Sequence, residues 1–547
     1  MGRSSLPASN RQGHTGADCL PASSVDADRA QSCLPARNFG GLVGAGCLPA
    51  SNFEGAWAKA PCRQGIRPAV SNRSRSPTDQ LGMTSPPPTL YLGARRPIDG
   101  KGEAEPLRLP AHHLTTHAVV VGMTGSGKTG LLTVLVEEAL GAGIPVLMLD
   151  VKGDLPNLLL TFPDFSPHHL EPWLEAPAGS TSAVPDLAAA IARERQTGLA
   201  SWGIREPELA KFHARTAVRL ITPGSSAGES LHVLSSLERP HSNWANDPEG
   251  ARASLSAAVS LVLRLLDRDP DPAKSREHVL LSVLAECRQR EGLPSDLVAL
   301  LEDVVAPPVD RIGALSVDRF FPRRRRTEFA ASLNALLASP SFATWRQGAP
   351  LDVKSWLTPS GGRTPAVIVS VAHLDDDERS LILGVLLEEV LTYVRAQPGS
   401  KTLRALLVFD EVYGFLPPHP ASPPTKRPLV ALMKQARAFG VGLVLATQNP
   451  MDLDYRALSN AGLWCVGRLQ TDADRERVLE GLAQSDGGHA GTDFDELGEI
   501  TKCLAPRWFV MRDVRAACGV SLVQPRWAMS YLRGPMTGAE MRRARGE

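Results

Sequence analysis

A glycine-rich stretch at residues 122–129 is the part of this 547-residue sequence whose residue types and spacing most directly predict chemistry. It fits the pattern G-x-x-x-x-G-K-[ST], in which glycines let the backbone wrap around phosphates, the lysine reaches the β- and γ-phosphates and the last hydroxyl binds Mg²⁺. The stretch consists of Gly122, Met123, Thr124, Gly125, Ser126, Gly127, Lys128 and Thr129. It therefore predicts a site for a nucleoside triphosphate.

A second group of candidate residues follows the apolar run at 403–409, which ends in Asp410 and Glu411. A strand that ends in Asp-Glu is common alone, but downstream of a phosphate loop it is typical of ATP-hydrolysing sites. We predict that Asp410 binds Mg²⁺ together with Thr129, and that Glu411 polarises the attacking water. A kinase would not need this glutamate, so the pair favours hydrolysis of ATP.

Two further polar positions come at the ends of predicted strands. Gln448 follows the strand at 441–446, and we predict that its amide senses the γ-phosphate and the attacking water. Asp150 ends the strand at 144–149 and is followed by Lys152. Because carboxylates at the carboxyl edge of a parallel sheet face the ligand crevice, Asp150 is a candidate for the nucleotide site. The alternative is an aspartate that only caps the turn, and the sequence leaves both open.

The elements that must hold these residues alternate between strands and helices. An apolar run at 118–121 leads into the glycine-rich stretch, and a helix at 131–140 leads out of it. Further strands are predicted at 218–222, 365–371, 463–469 and 507–511, with helices at 186–196, 376–395, 429–439 and 536–545, and a strand pair within 89–117. This alternation predicts an α/β fold with a mainly parallel sheet flanked by helices.

The chain divides by composition into a tail, an interrupted ATPase core and a basic C-terminal helix. We predict segments at 1–82 (tail), 83–225 (first part of the core), 226–355 (all-α insertion), 356–530 (second part of the core) and 531–547 (C-terminal helix). The tail repeats Leu-Pro-Ala with a period of 14, at Leu6, Leu20, Leu34 and Leu48. Such a short unit with few apolar residues predicts disorder. A tandem DNA repeat translated upstream of a start at Met83 would also explain it.

The overall charge is close to neutral, with 59 basic and 58 acidic residues, so no global field attracts nucleic acid. The four arginines at 323–326 are the exception, and they either grip phosphates or form a solvated face. The chain has no apolar run of about 18–20 residues, and its cysteines lack C-x-x-C spacing. These features predict a cytoplasmic protein with reduced thiols, no zinc site and no membrane span.

Several of these stretches together resemble the HerA/FtsK superfamily of ring-forming P-loop motors, specifically the HerA-like ATPases. They are residues 117–129, 146–155, 406–417, 434–449 and 460–469. The resemblance implies a RecA-like core, ATP and Mg²⁺ as ligands, a homo-hexamer with sites between subunits, and DNA as the partner. It also implies that Arg437, upstream of the sensor strand, reaches the neighbouring subunit's nucleotide, with Arg468 as a weaker candidate for this role.

One departure from the family pattern concerns the N-terminal β-barrel through which HerA proteins dock a nuclease. Too few residues separate Met83 from the phosphate loop for a full barrel, so a nuclease partner is not expected. The leading hypothesis is an ATP-driven motor that moves or unwinds DNA. The alternatives are an ATPase that powers protein or conjugative-type transport, and a regulatory switch that does not act as a motor.

Overall fold

The computed structural model describes residues 88–98, 103–175, 183–238, 244, 247–450, 453–484, 494–516 and 519–547. The tail at 1–82, for which the sequence predicts disorder, lies outside these residues. Residues 83–547 form one compact unit.

The strands lie along the whole described chain. In chain order they are β1 (Thr89–Pro97), β2 (Glu105–Pro110), β3 (Ala118–Val121), β4 (Val146–Asp150), β5 (Thr216–Ile221), β6 (Leu231–His232), β7 (Arg311–Ile312), β8 (Leu315–Ser316), β9 (Ala349–Pro350), β10 (Thr364–Ser370), β11 (Ala405–Asp410), β12 (Val441–Thr447), β13 (Leu463–Val466), β14 (Phe509–Asp513) and β15 (Val520–Pro525).

The helices separate these strands. They are α1 (Lys128–Gly141), α2 (Val184–Ala200), α3 (Glu206–Arg215), α4 (Ser235–Glu238), α5 (Pro248–Leu265), α6 (Arg276–Arg290), α7 (Leu297–Val305), α8 (Val317–Phe320), α9 (Arg323–Ala338), α10 (Pro340–Arg346), α11 (Val353–Trp356), α12 (Asp376–Arg395), α13 (Lys426–Gln435), α14 (Tyr455–Leu458), α15 (Asp472–Gln484), α16 (Phe494–Cys503) and α17 (Gly538–Ala544). Within the described ranges, every helix is too short or too polar to cross a membrane.

An eleven-stranded sheet organises the fold, in the order β2-β1-β15-β14-β13-β3-β12-β11-β4-β10-β5. From β13 to β5 all neighbours run parallel. These strands read as continuous apolar runs because helices cover both faces, and β3, β11 and β12 are buried along their whole length. The α/β class with a mainly parallel sheet is therefore confirmed for the described residues.

The other end of the sheet is antiparallel. β14 pairs with β13 and β15, and β15 pairs with β1, which forms the predicted strand pair with β2. β15, whose burial alternates along Val520–Pro525, was not predicted from the sequence. β14 begins two residues later than predicted because Arg507 has a φ of 66°, which a strand does not accommodate. The antiparallel strands nevertheless matter, because the start of β14 and the end of β15 lie together and Arg507, just before β14, bonds to the phosphate loop.

The segment between β5 and β10 is mostly helical, as predicted, but the expectation of an all-α insertion is wrong in detail. β6 pairs with β9 near its two ends, and β7 pairs with β8 in a small hairpin. These strands have two residues each, too short for a periodic apolar pattern to reveal them. The segment shares its core with the sheet layer, because Val259 and Val262 of α5 belong to the same buried cluster as Leu386 of α12.

The topology decides where the functional side chains meet. β3, β4, β11 and β12 are parallel neighbours or near neighbours, so the residues that follow them lie at one edge of the sheet. This carboxyl edge holds the phosphate loop, Asp150, Asp410 and Gln448. The strands of the helix-flanked sheet thus bring together residues that are far apart in sequence.

Candidate nucleotide-binding site

The phosphate loop leaves β3 at Val121 and enters α1 at Lys128. Gly127 has a φ of 96°, and a Cβ there would lie 3.0 Å from Arg507 Cα. Glycine is therefore required at this position for both its conformation and its size. Arg507 N–H in turn donates to the Ser126 carbonyl at 2.9 Å and closes the loop from the side of β14.

Lys128 lies folded onto the loop that precedes it. Its Nζ donates to the carbonyls of Gly122, at 2.5 Å, and Met123, at 3.2 Å. Burial, followed by repulsion from Lys152, lowers the pKa of Lys128 to about 8. The ammonium group is thus held by neutral carbonyls beside another cation, an arrangement that phosphate oxygens would improve.

Asp410 is the best-placed carboxylate for a cation. It is 3% exposed, and among the described residues its Oδ2 is buried without a hydrogen-bond partner. Burial raises its pKa to about 6; Lys152 opposes this shift, while Asp150, Asp154 and Glu411 add to it. A buried oxygen left unsatisfied is costly, so this geometry fits a magnesium ligand that accompanies the Thr129 hydroxyl at the start of α1.

Glu411 is held by three neighbours directly beyond β11. Oε1 accepts from the Thr447 hydroxyl at 3.0 Å and from Gln448 N–H at 3.1 Å, while Oε2 pairs with Lys152 Nζ at 2.5 Å. The backbone of Glu411 has a φ of 64°, a conformation that costs a non-glycine residue about 1–3 kcal/mol. The bonds to Thr447 and Gln448 hold this carboxylate at the carboxyl edge of the sheet, where a general base would act.

Gln448 connects the sensor strand to the phosphate loop. The Thr124 hydroxyl donates to Gln448 Oε1 at 2.6 Å, and Gly122 N–H donates to the Thr447 carbonyl at 3.3 Å. β12 lies between β3 and β11, so the Gln448 amide stands next to both the loop and Glu411. This is the place that the sequence analysis predicted for it.

Asp150 is fully buried at the end of β4, in register with Asp410. Its Oδ1 accepts from Gly153 N–H at 2.9 Å, and its Oδ2 accepts from the Ser370 hydroxyl at 2.7 Å. Both carboxylate oxygens of Asp150 thus accept hydrogen bonds from the protein, as expected for an aspartate that caps the turn. Direct contact with a nucleotide does not follow from this geometry, and a role for Asp150 at the site stays a prediction that would act through Asp410.

Arg437 and Arg468 lie at opposite edges of the sheet. The predicted helix around Arg437 is α-helical only to Gln435, and Arg437 is an exposed residue of a 3-10 turn before β12. Arg468 follows β13, and its carbonyl accepts from Met123 N–H at 2.8 Å. Arg468 therefore borders the phosphate loop of its own subunit, which does not suit the trans role for which it was a weaker candidate.

Arg437 is too far from the phosphate loop of its own chain to touch a nucleotide there. The seven residues of β12 separate it from Gln448, a span of about 20 Å at roughly 3.3 Å per residue. Burial, followed by the nearby Arg437, lowers the pKa of Arg515, so two arginines share the amino edge of the sheet. Any action of Arg437 on a nucleotide has to be on a neighbouring copy.

The residues missed by sequence reasoning lie on the antiparallel side of the loop. Arg507 precedes β14, Trp527 follows β15, and the guanidinium of Arg507 lies 5.6 Å from the centre of the Trp527 ring. Neither belongs to a motif. The positive φ of Arg507 is a feature of the folded backbone, and only the Arg507-Trp508 pair before an apolar run marks the position in the sequence.

The four arginines at 323–326 form the first turn of α9 and have different environments. Arg326 is buried and donates to Asp318 and to the Phe321 carbonyl, both at 2.8 Å. The other three are exposed, and Arg324 pairs with Glu328 at 3.0 Å. Arg326 is thus structural, while Arg323 and Arg325 leave positive charge on the surface.

Comparison with known proteins gives a family match and several solved structures of similar fold. Residues 98–213 match the family model described as "Helicase HerA, central domain". No match to a curated protein sequence was found.

VirB4 of Thermoanaerobacter pseudethanolicus is 12% identical, with 80% of this chain and 96% of that chain covered and a TM-score of 0.46. The plasmid coupling protein TrwB in complex with a non-hydrolysable GTP analogue is 14% identical, with 83% and 98% covered and a TM-score of 0.43. The genome packaging NTPase B204 from Sulfolobus turreted icosahedral virus 2 is 18% identical, with 30% and 69% covered and a TM-score of 0.21. The match of residues 98–213 confirms the resemblance to the HerA-like ATPases over that part of the chain.

Proposed function

We propose that this chain binds ATP and Mg²⁺ at the phosphate loop, hydrolyses ATP, and works as a ring-forming motor that moves DNA. The observation that carries the proposal is the meeting of Lys128 with Asp410 and Glu411 at one edge of the sheet, although 282 positions separate Lys128 from Asp410. A phosphate-binding lysine, a metal-binding aspartate and a basic glutamate are the parts that hydrolysis of a nucleoside triphosphate requires.

Two groups of the chain would suit a magnesium ion: Asp410 Oδ2, which has no hydrogen-bond partner among the described residues, and the Thr129 hydroxyl at the start of α1. A bound Mg²⁺ would neutralise charge on the phosphate oxygens. Lys128 would exchange the carbonyls of Gly122 and Met123 for the β- and γ-phosphates, which restores favourable surroundings for a buried ammonium group. Binding energy would therefore come from phosphate and metal contacts made by Lys128 and Asp410.

Glu411 would orient and polarise the attacking water. Thr447 and Gln448 fix its Oε1, so its position depends on the same strand that carries the sensor amide. The bond between Thr124 and Gln448 links that amide to the loop, and a γ-phosphate arriving beside Thr124 would compete for it. ATP hydrolysis would then change the contact between Gln448, which follows β12, and the phosphate loop.

The position of Arg437 supports a ring, because the length of β12 keeps this arginine away from the nucleotide site of its own chain. In a homo-hexamer the exposed amino edge of one subunit would face the carboxyl edge of the next. The Arg437 guanidinium would then stabilise charge on the transferring phosphate in trans. The proposal that the ring encloses duplex DNA rests on the description of the matched family as a helicase domain and on the exposed arginines of α9.

The proposal that the motor moves DNA is tested by measuring ATP turnover with and without duplex and single-stranded DNA, across a series of salt concentrations. We expect DNA to raise kcat several-fold and the stimulation to decline with salt, because contacts to phosphates release counterions. A heparin control separates DNA from a general effect of polyanions. ATP turnover that no DNA stimulates would count against the motor on DNA and favour the transport or switch alternatives.

The shared site is tested by mixing subunits. Arg437→Ala alone should lower kcat by about 10³, as loss of an arginine finger does. Rings that also contain Glu411→Gln subunits should regain activity, since an interface with Glu411 from one subunit and Arg437 from the next is intact. If both parents are inactive and mixtures that co-assemble stay inactive, Arg437 does not act in trans.

A further inference from the structure

A cavity of about 350 Å³ opens beside the phosphate loop, on the flank of β3 that faces the antiparallel strands. This size lies within the range of about 300–1,000 Å³ that small-molecule sites occupy. Its lining includes Gly130 and Leu131 of α1, Arg507 before β14, and Pro525, Trp527 and Tyr531 at and beyond the end of β15. The cavity touches the helix turn that directly follows Lys128 and Thr129.

The order of strands fixes which end of a nucleotide would face this cavity. Glu411 and Gln448 follow β11 and β12 on one flank of β3, so the γ-phosphate must point to that side. The nucleoside is at the opposite end of the triphosphate chain from the γ-phosphate, so it would extend past α1 to the other flank. That flank is formed by β13, β14 and β15, where the cavity lies.

The walls have the chemistry of a base-stacking site. Trp527 offers an indole whose ring centre lies 5.6 Å from the Arg507 guanidinium, and Tyr531 offers a phenol ring 5.5 Å from the Arg195 guanidinium. Nucleobases stack on aromatic rings and on guanidinium planes. Ile191 of α2, which is half-buried, adds apolar surface, which suits the flat faces of a purine.

The cavity is held open by contacts within the protein. Arg507 donates to the carbonyls of Pro525, at 3.2 Å, and Arg526, at 3.3 Å. The Trp527 ring packs against Gly198 of α2 so closely that a Cβ on that residue would lie 2.6 Å from Cε3 of the ring. A preformed wall lowers the ordering cost of binding.

We propose that this cavity binds the nucleoside part of the bound nucleotide, with the base stacked against the wall formed by Trp527 and Arg507. The proposal rests on the proposed function, since it assumes that phosphates occupy the loop. It adds a recognition surface that the phosphate-loop motif does not contain, and it makes Trp527 a residue for affinity rather than for hydrolysis.

The test compares MgADP with inorganic tripolyphosphate, which fills the loop without a base, by calorimetry on Trp527→Ala. Loss of a stacking side chain should weaken MgADP binding by about 10-fold or more and leave tripolyphosphate binding unchanged. Trp527→Phe should keep most of the MgADP affinity. Trp202→Ala, a partly exposed tryptophan on a separate cavity, should change neither ligand.

Gly130→Leu provides a second variant should Trp527→Ala not fold. A Cβ at Gly130 meets nothing within 4 Å and Gly130 lines the cavity, so a leucine there would begin in open space and should also weaken binding of MgADP alone. Equal MgADP affinity in the variants and the wild type would overturn the proposal. So would an equal loss of both ligands, because the wall would then support the loop instead of the base. A wild-type protein that binds neither ligand would overturn the proposed function as well.

Discussion

Two clusters of buried charge flank the phosphate-loop helix, and they differ in how completely they are paired. Behind α1, Arg526 pairs with Glu137 at 2.9 Å and with Glu138 at 2.8 Å. Glu137 also accepts from the N–H groups of Met529 and Ser530, at 3.0 and 2.8 Å. In front of α1, Asp410 Oδ2 has no partner among the described residues.

The comparison shows that burial alone does not distinguish a structural cluster from a functional one. Both clusters are buried, but their cations differ: the carboxylates beside Arg526 raise its pKa, whereas burial lowers the pKa of Lys128. Burial raises the pKa of Asp410 to about 6 and lowers that of Lys128 to about 8, and the like charge of Lys152 adds to the second shift. Charges that the fold does not match are those that a ligand of phosphates and metal would match.

The largest expected effect separates hydrolysis from binding. Glu411→Gln removes the group that polarises water, so kcat should fall by about 10²–10⁴. MgADP affinity should stay within about two-fold, because nucleotide contacts lie in the loop. Single-turnover kinetics measure the rate of ATP hydrolysis, and calorimetry measures the affinity for MgADP. The matched control is Glu302→Gln, at an exposed residue of α7. Hydrolysis that survives in Glu411→Gln would remove the assigned role.

The next effect contrasts the two clusters directly through stability. Glu137→Gln breaks a fully buried ion pair and should lower the free energy of unfolding by about 3–5 kcal/mol. Asp410→Asn should instead raise the free energy of unfolding. Denaturant unfolding at pH 7.5 without magnesium measures both, and a loss of stability in Asp410→Asn would show that the two clusters have the same role.

The sign for Asp410 follows from proton linkage. Its pKa rises from 3.8 to about 6, so the folded state binds the proton more tightly than the unfolded state, and stability is lost as pH rises between these values. Asp410→Asn removes that loss of stability, because asparagine does not titrate. A pKa rise of about two units corresponds to at most about 3 kcal/mol in the free energy of unfolding at neutral pH. The difference in stability between the wild type and Asp410→Asn should vanish below about pH 4.

Sequence reasoning found the residues whose signal is local. Lys128, Asp410 and Gln448 each follow a buried apolar strand, and parallel strands that end at one edge bring such residues together. Arg507 and Trp527 could not be found in this way. Their positions depend on backbone bonds to Ser126 and on packing against Gly198, contacts that span most of the chain.

The same distinction applies to the fold. The parallel strands are apolar on both faces and stand out, whereas β15 is half-exposed and alternates, and β6 to β9 have two residues each. The pairing of Arg526 with Glu137 also has no sequence signal, because the partners are 389 positions apart. A pattern within one helix or strand predicts that helix or strand. Contacts between residues far apart in sequence become visible only in the folded chain.

The smallest expected effect tests whether Lys152 belongs to the incompletely paired cluster. Lys152 pairs with Glu411 and opposes the rise in the pKa of Asp410, so Lys152→Met should raise that pKa further. Magnesium binds the ionised carboxylate. The acidic limb of magnesium-dependent turnover should therefore lie near pH 6 in the wild type and at higher pH in the variant. At pH 8 the loss should be no more than about five-fold, because the lysine is 30% exposed and solvent weakens its pairing. An acidic limb that does not move would show that Asp410 does not govern it, and a shift to lower pH would place Lys152 outside the cluster.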